Sequence, residues 1–305
     1  MLKAVSPEHL AGATAAELSD ALERGEILFF PKCPVPLPGE EDGGLLRGLE
    51  GALTRKNVTD YFLADRTIGI DPARKERDQV HLVLRRHLRE VISFLTQSMP
   101  SFMKDCRPGT CSFRPLQAAG RKLKPCAADD LVHLDAGAYG ATHGDRILRF
   151  FVKLNPSEPR VWSTRGTFPR IYARYGRQAG IAEGAGRAAV VDGPFERIWT
   201  RVLATLGDAG LPKATILDSS RYDRRMRRLH NFMKEAPEFR SGVDGLERFE
   251  FPPYTAWTVL TDMASHACLS GQYALVSTFI VPLANCRLRR LAPYEVLQTQ
   301  PEPAA

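Results

Sequence analysis

The chain has 305 residues, 44% hydrophobic and 25% charged, a balance that excludes a disordered or fibrous protein and can bury one sizeable core. A formal charge of +7 and a pI near 9.2 favour an anionic partner: nucleic acid, an anionic membrane surface or a phosphorylated substrate. No apolar run approaches the ~20 residues that cross a bilayer, and the N-terminus is too polar for a secretory signal, so a cytoplasmic protein is expected.

In chain order, residues 7–25 are predicted as a helix, with Ser6 as N-cap before Pro7 and Glu8. A short apolar strand, Ile27–Phe30, ends at Pro31, and the Pro/Gly-rich stretch 31–44 reads as a loop. Between residues 75 and 103, Val80, Leu82, Val83, Leu84, Leu88, Val91, Ile92 and Leu95 recur at helical spacing, which predicts one long amphipathic helix backing a sheet. Short β-like segments follow at 110–116, 131–135 and 146–154, separated by Gly, Pro and Asp clusters. A helical insert is expected over 167–237, with helices at 194–206 and 220–234. Strand texture returns at 248–251, 256–260 and 273–281, and a tail is expected at 296–305. Strands, helices, then strands suggest a β-barrel or sandwich with a long helical connection. The expected organisation is one domain: 1–105 as N-terminal support, 110–156 and 248–282 as the β core, 167–237 as the insert. The six cysteines are scattered, which fits reduced thiols better than a disulfide framework.

The sharpest chemical signal is His133-Leu134-Asp135. Alternate residues of a strand share a face, so the imidazole and the carboxylate aim at one point. His266, between the apolar segment Ala256–Leu260 and the Ser270-Gly271 turn, is the best third ligand. Two histidines and one carboxylate on one face of an iron leave three positions open, as in non-haem Fe(II) oxygenases. A His-x-Asp tripeptide alone is weak, since chance and structural pairs produce it too.

The segment 146–155 alternates so that Ile147, Arg149, Phe151, Lys153 and Asn155 share a face. Its cations suit the distal carboxylate of a keto acid, with Arg149 first as a bidentate anchor and Arg114 or Lys153 behind it. The segment after His266, Gln272 to Thr278, has no basic residue for that task. Arg221, Arg224, Arg225 and Arg228 should form a basic ridge, in its plainest reading a solvated helix face. His143 is a weaker pocket candidate, His230 is intermediate, and His9, His81 and His87 read as structural. No phosphate-cradling glycine loop, GxSxG elbow or HExxH motif competes.

The run Ser112-Phe113-Arg114-Pro115, Gly120-Arg121, Asp129-Asp130 and His133-Leu134-Asp135-Ala136 resembles the 3-deoxy-D-manno-oct-2-ulosonic acid (Kdo) hydroxylases. So do Gly144 to Arg149, Asn155-Pro156, Pro159 to Trp162, Tyr222-Asp223, Leu229-His230, Met233-Lys234, Phe251-Pro252-Pro253, Asp262 and Gln272 to Leu275, with Lys56-Asn57-Val58 upstream. The resemblance runs in order over residues 27 to 282. It implies an α+β protein with a double-stranded β-helix (jelly-roll) core, N-terminal helices and a helical insert between the metal-ligand strands. It also implies Fe(II) held by His133, Asp135 and His266, 2-oxoglutarate and O2 as cosubstrates, and hydroxylation of the Kdo sugar of lipopolysaccharide. The cosubstrate residues would be Arg149, Arg114, Lys153 and Asn155. An anionic or lipid-linked sugar would be the partner, with peripheral contact at the cytoplasmic face of the inner membrane and no nucleic acid. Where the family usually continues with an aromatic residue and a Pro-Ser turn, this chain has Gly137-Ala138-Tyr139-Gly140, so the rim differs while the ligands are kept. A diverged oxygenase with another sugar or small-molecule substrate, or a non-catalytic metal- or sugar-binding module, are the alternatives.

Overall fold

A computed structural model of the chain describes residues 1–120, 123–182, 190–193 and 219–299. Strand β1 (Leu2–Ala4) comes first. The predicted first helix is two, because the Thr14 side chain accepts the Glu17 N–H and starts a new helix. These are α1 (Pro7–Gly12), capped by Ser6 as expected, and α2 (Ala15–Glu23). β2 (Ile27–Phe30) follows, and α3 (Glu40–Arg47) begins inside the predicted loop, its first turn carrying Glu40, Glu41 and Asp42 where the helix dipole favours acids.

β3 (Val58–Tyr61) and β4 (Arg66–Ile68) form a hairpin. The long predicted helix is α4 (Arg77–Ser98), which buries Val80, Val83, Leu84, Leu88, Val91 and Leu95 on one face and leaves Leu82 outside. Next come β5 (Arg107–Arg114), β6 (Arg146–Lys153), β7 (Arg160–Thr164) and α5 (Phe168–Tyr175). The described part of the insert continues with α6 (Arg221–Glu235), started by a Ser220/Asp223 capping box, and α7 (Pro237–Arg240). The helix predicted at 194–206 lies outside the described residues. β8 (Glu247–Phe251), β9 (Ala256–Leu260), β10 (Ala267–Ser270), β11 (Ala274–Val281) and α8 (Pro293–Thr299) complete the chain.

The strands make an eight-stranded sheet, ordered β1-β2-β9-β6-β11-β5-β3-β4, and a three-stranded sheet, β10-β7-β8. All pairings are antiparallel except β1 with β2. The larger core contains the buried faces of α2 and α4 with Phe30, Phe113, Leu148 and Phe150 of the sheet. The second is an aromatic layer between the sheets, where Phe251 stacks on Trp257 at 3.9 Å and Trp162 meets Trp257 edge-on at 5.4 Å. Each such ring, fully buried, contributes about 1.5–3 kcal/mol.

Three expectations need correction. Residues 131–135 form no strand; their one ladder contact is the isolated bridge between His133 and His266. The N-terminal 105 residues do more than support the core, since β1 to β4 are strands of the large sheet. The tail does not begin at 296, because Val296 and Leu297 are buried in α8.

Inside α4, His87 is buried and neither ring nitrogen has a hydrogen-bond partner among the described residues. Burial pushes its pKa down to about 4. The unfolded chain, with an ordinary histidine, takes up this proton first as pH falls. His87 therefore stabilises fully above the ordinary value of about 6.5, and its contribution fades as pH drops to about 4, a loss approaching ~3 kcal/mol. Between pH 7 and pH 4 the urea midpoint of wild type should fall relative to that of H87L, whatever their order at neutral pH; a constant gap would remove His87 from the acid sensitivity.

Candidate metal centre

The bridge that replaces the predicted strand is what builds the site. His133 N–H donates to the His266 carbonyl at 3.0 Å and His266 N–H to the His133 carbonyl at 2.8 Å, so the two backbones lock face to face. Their rings stand 4.6 Å apart. Two residues on, Asp135 N–H donates to the Thr261 carbonyl at 2.9 Å, which fixes the carboxylate against the end of β9.

The Nδ1 atoms of both imidazoles face backbone carbonyls, Leu131 at 2.8 Å and Ala264 at 3.2 Å. Those contacts place the ring proton on Nδ1 and leave each Nε2 lone pair directed inward. One ligand atom from each of His133, Asp135 and His266 lies within 4.8 Å of the others, and all three residues are buried. Burial holds both histidines below the ordinary imidazole pKa, so both are neutral donors near neutral pH. Burial pushes Asp135 up, but Arg149 and the two imidazoles outweigh it and keep the carboxylate ionised.

This donor set fits a divalent iron. Asp135 Oδ2 is buried without a hydrogen bond; Arg149 Nε lies 2.9 Å away as an ion pair whose N–H is not aligned on it. Two neutral imidazoles and a carboxylate whose ligand atoms converge in a buried site match the donor set of a facial triad with positions to spare.

The three residues open onto a cavity of about 510 Å³. Lys56, Arg114, Arg149 and Lys234 bring cations to it, against Asp129 and Asp135. Lys56 pairs with Asp129 at 3.0 Å. Burial raises the Asp129 carboxyl, yet Arg114 and Lys56 more than offset this and hold it below the usual carboxylate range. Arg114 lies over the Phe151 ring, its buried Nε without a hydrogen-bond partner among the described residues. β11 pairs with β6 so that Thr278 stands opposite Arg149, and both line the cavity: the cation that the strand after His266 lacks stands on its neighbour.

Of the four residues expected at the cosubstrate, Arg149 and Arg114 line this cavity and Lys153 and Asn155 do not. Lys153 Nζ donates to the Gln272 carbonyl at 2.6 Å, and burial with nearby Arg160 lowers its pKa to about 8. Asn155 Oδ1 accepts the N–H groups of Ser157 and Glu158, each at 3.0 Å, as a turn residue. His143 lies in a loop with φ +53° and is not in the lining, whereas His230 is, its ring edge-on to His133 at 5.0 Å. His9 and His81 pair with Glu17 and Asp60. The arginine ridge turns partly inward: Arg224 and Arg228 donate to the carbonyls of Ser219 and Gly180, at 2.7 and 2.8 Å, and Arg225 to that of Ile181.

Two wall residues had little sequence signal of their own. Trp162 stacks on His266, centroids 5.2 Å apart and planes at 23°. Tyr139, in the altered rim, donates its hydroxyl to the Arg107 carbonyl at 2.9 Å and lies so close to Gly109 that a Cβ there would fall 1.6 Å from the ring.

The family model for 3-deoxy-D-manno-oct-2-ulosonic acid (Kdo) hydroxylase matches residues 7–302. Among solved structures, the chain is similar to the Kdo hydroxylase KdoO, described as a non-heme Fe(II) α-ketoglutarate-dependent dioxygenase, in complex with α-ketoglutarate and Fe(III). The identity is 25% and the TM-score 0.76, over 97% of this chain and 94% of that one. The cobalt(II) complex of KdoO gives the same identity, coverage and TM-score. No curated protein sequence matches the chain.

Proposed function

This chain belongs to the Kdo hydroxylase family, and from that premise we infer that it is an Fe(II)- and 2-oxoglutarate-dependent dioxygenase that hydroxylates the Kdo sugar of lipopolysaccharide. One observation carries the reading: the converging ligand atoms of His133, Asp135 and His266 at the base of a cationic cavity. Bound there, iron with 2-oxoglutarate and O2 supplies the oxidising power for C–H hydroxylation, with succinate and CO2 as the by-products.

The chain's own residues do the rest. His133 and His266 offer neutral Nε2 donors whose tautomers the Leu131 and Ala264 carbonyls fix. Asp135 supplies the anionic ligand, and Arg149, 2.9 Å from Oδ2, orients it. That role makes Arg149 a weaker cosubstrate anchor than Arg114, whose unsatisfied Nε is better placed to take the distal carboxylate of 2-oxoglutarate. Lys56 and Lys234 add positive charge for the acid group of the sugar. Phe151 and Trp162 wall the cavity and keep water from the reacting centre.

We read the two facing sheets as the double-stranded β-helix core, with the small sheet carrying Trp162 and adjoining His266. Among the described residues no helix is long and apolar enough to cross a membrane. The net charge supports peripheral contact with an anionic cytoplasmic membrane face, where a lipid-linked sugar would be met.

The test is to load the protein with Fe(II) without oxygen, add 2-oxoglutarate, O2 and Kdo-lipid A, and follow succinate and one added oxygen on the lipid. Succinate coupled to the hydroxylated lipid is the expected result. Succinate without it points to another substrate, and neither, despite bound metal, to a binding module.

The two arginines should separate in kinetics. R114A loses a charge-assisted pairing of about 1.5–3 kcal/mol and should raise the 2-oxoglutarate KM by roughly 10–100-fold, with a smaller effect on kcat. R149A should instead weaken metal retention. An unchanged KM in R114A would return the anchor to Arg149.

A further inference from the structure

We propose that Trp162 is a self-hydroxylation site: when 2-oxoglutarate and O2 are consumed with no sugar in the cavity, the oxygen atom enters a C–H bond of its indole. The proposal rests on the dioxygenase activity inferred above.

Three observations converge on this ring. The indole stacks on the imidazole of His266, with centroids 5.2 Å apart, and lines the same cavity as the three converging ligand atoms. It is held there: Phe151 abuts it edge-on at 4.8 Å, Trp257 at 5.4 Å and Phe251 at 5.7 Å, and only 2% of the residue is exposed. Its Nε1 is buried without a hydrogen-bond partner among the described residues, so no polar contact draws the ring away from His266 or withdraws its electrons. An electron-rich aromatic fixed against a metal ligand is a ready acceptor once the sugar is missing.

The alternatives in the lining are poorer. Phe151 is less electron-rich and is stacked on Trp257. The Tyr139 hydroxyl is tied to the Arg107 carbonyl. The Cys268 thiol also lines the cavity, but it faces the Ser270 carbonyl.

The step balances without an external reductant. 2-Oxoglutarate, O2 and an indole C–H give succinate, CO2 and an indole C–OH. One oxygen atom of O2 enters succinate and the other the ring. Oxidative decarboxylation and the broken C–H bond supply the electrons, an electron pair each, that reduce O2 completely.

The experiment uses the full chain with Fe(II), 2-oxoglutarate and O2 but no sugar, followed by peptide mapping. The expected result is one added oxygen on the peptide containing Trp162. It should carry the isotope of labelled dioxygen, be absent without 2-oxoglutarate, and fall several-fold when Kdo-lipid A competes. A readout independent of turnover is Co(II) added without oxygen. It should quench the emission of the indole stacked on His266, and W162F should lose that quenched component. Succinate formation with an unmodified Trp162 peptide, or with the oxygen on Cys268 or Tyr139, would overturn the proposal while leaving the activity intact. No succinate at all would overturn the activity and the proposal with it.

Discussion

Replacing His266 with alanine should abolish coupled succinate and hydroxylated-lipid formation, with kcat/KM falling by about three orders of magnitude or more, roughly 4 kcal/mol of transition-state stabilisation. The reason is local. His133 and Asp135 remain, but a metal left with two protein ligands is held weakly and its open positions are no longer confined to one face. The fold should survive, because His266 is tied to His133 through backbone N–H and carbonyl groups that alanine keeps. Two measurements separate loss of the centre from loss of the fold. The metal-free variant should melt close to the metal-free wild type. A divalent metal at about 100 times its Kd, which stabilises wild type by about 2.7 kcal/mol, should shift the variant little. Turnover within tenfold of wild type would remove His266 from the ligand set.

The site was legible in the sequence to different depths. The long helix and β9 were readable because each buries an uninterrupted apolar face or run: α4 repeats its apolar positions at helical spacing and Ala256–Leu260 is buried throughout. β7 was missed because it buries Arg160, Ser163 and Thr164 along with Val161 and Trp162, so neither an alternating nor a continuous apolar pattern marks it. No local pattern therefore marks Trp162 as a wall of the cavity. His133 and Asp135 were found through a period-two argument, yet the segment is held by a single bridge to His266 and a bond to Thr261, partners far along the chain that no local pattern shows. Lys153 shares the face of Arg149, but four residues of strand separate them by about 13 Å, enough to carry the amine past the cavity. A face is readable from alternation, whereas position along the strand depends on where the third dimension closes.

Arg146 is where the largest stability effect is expected. Its side chain is fully buried, and Nε donates to Asp262 Oδ2 at 2.6 Å while Asp262 Oδ1 accepts the Ile147 N–H at 3.2 Å. The Asp262 carboxylate thus ties β6 to the segment that leaves β9, whose preceding residue, Thr261, receives the Asp135 N–H and whose continuation carries His266. R146M removes the cation from a buried pair and strands its partner, a change that costs about 3–5 kcal/mol. In a chain of this size that should lower the melting temperature by roughly 5–8 °C. The R146M/D262L double variant removes both charges and should recover part of the loss, because the penalty in the single variant is chiefly the uncompensated carboxylate. Metal affinity offers a second readout. Loosening the support behind Asp135 and His266 should weaken it by roughly 10–100-fold in R146M, as for other groups that orient metal ligands without touching the metal. A double variant no more stable than R146M would show that Arg146 acts through packing. Unchanged metal affinity would show that the pair holds the sheet without positioning the ligands.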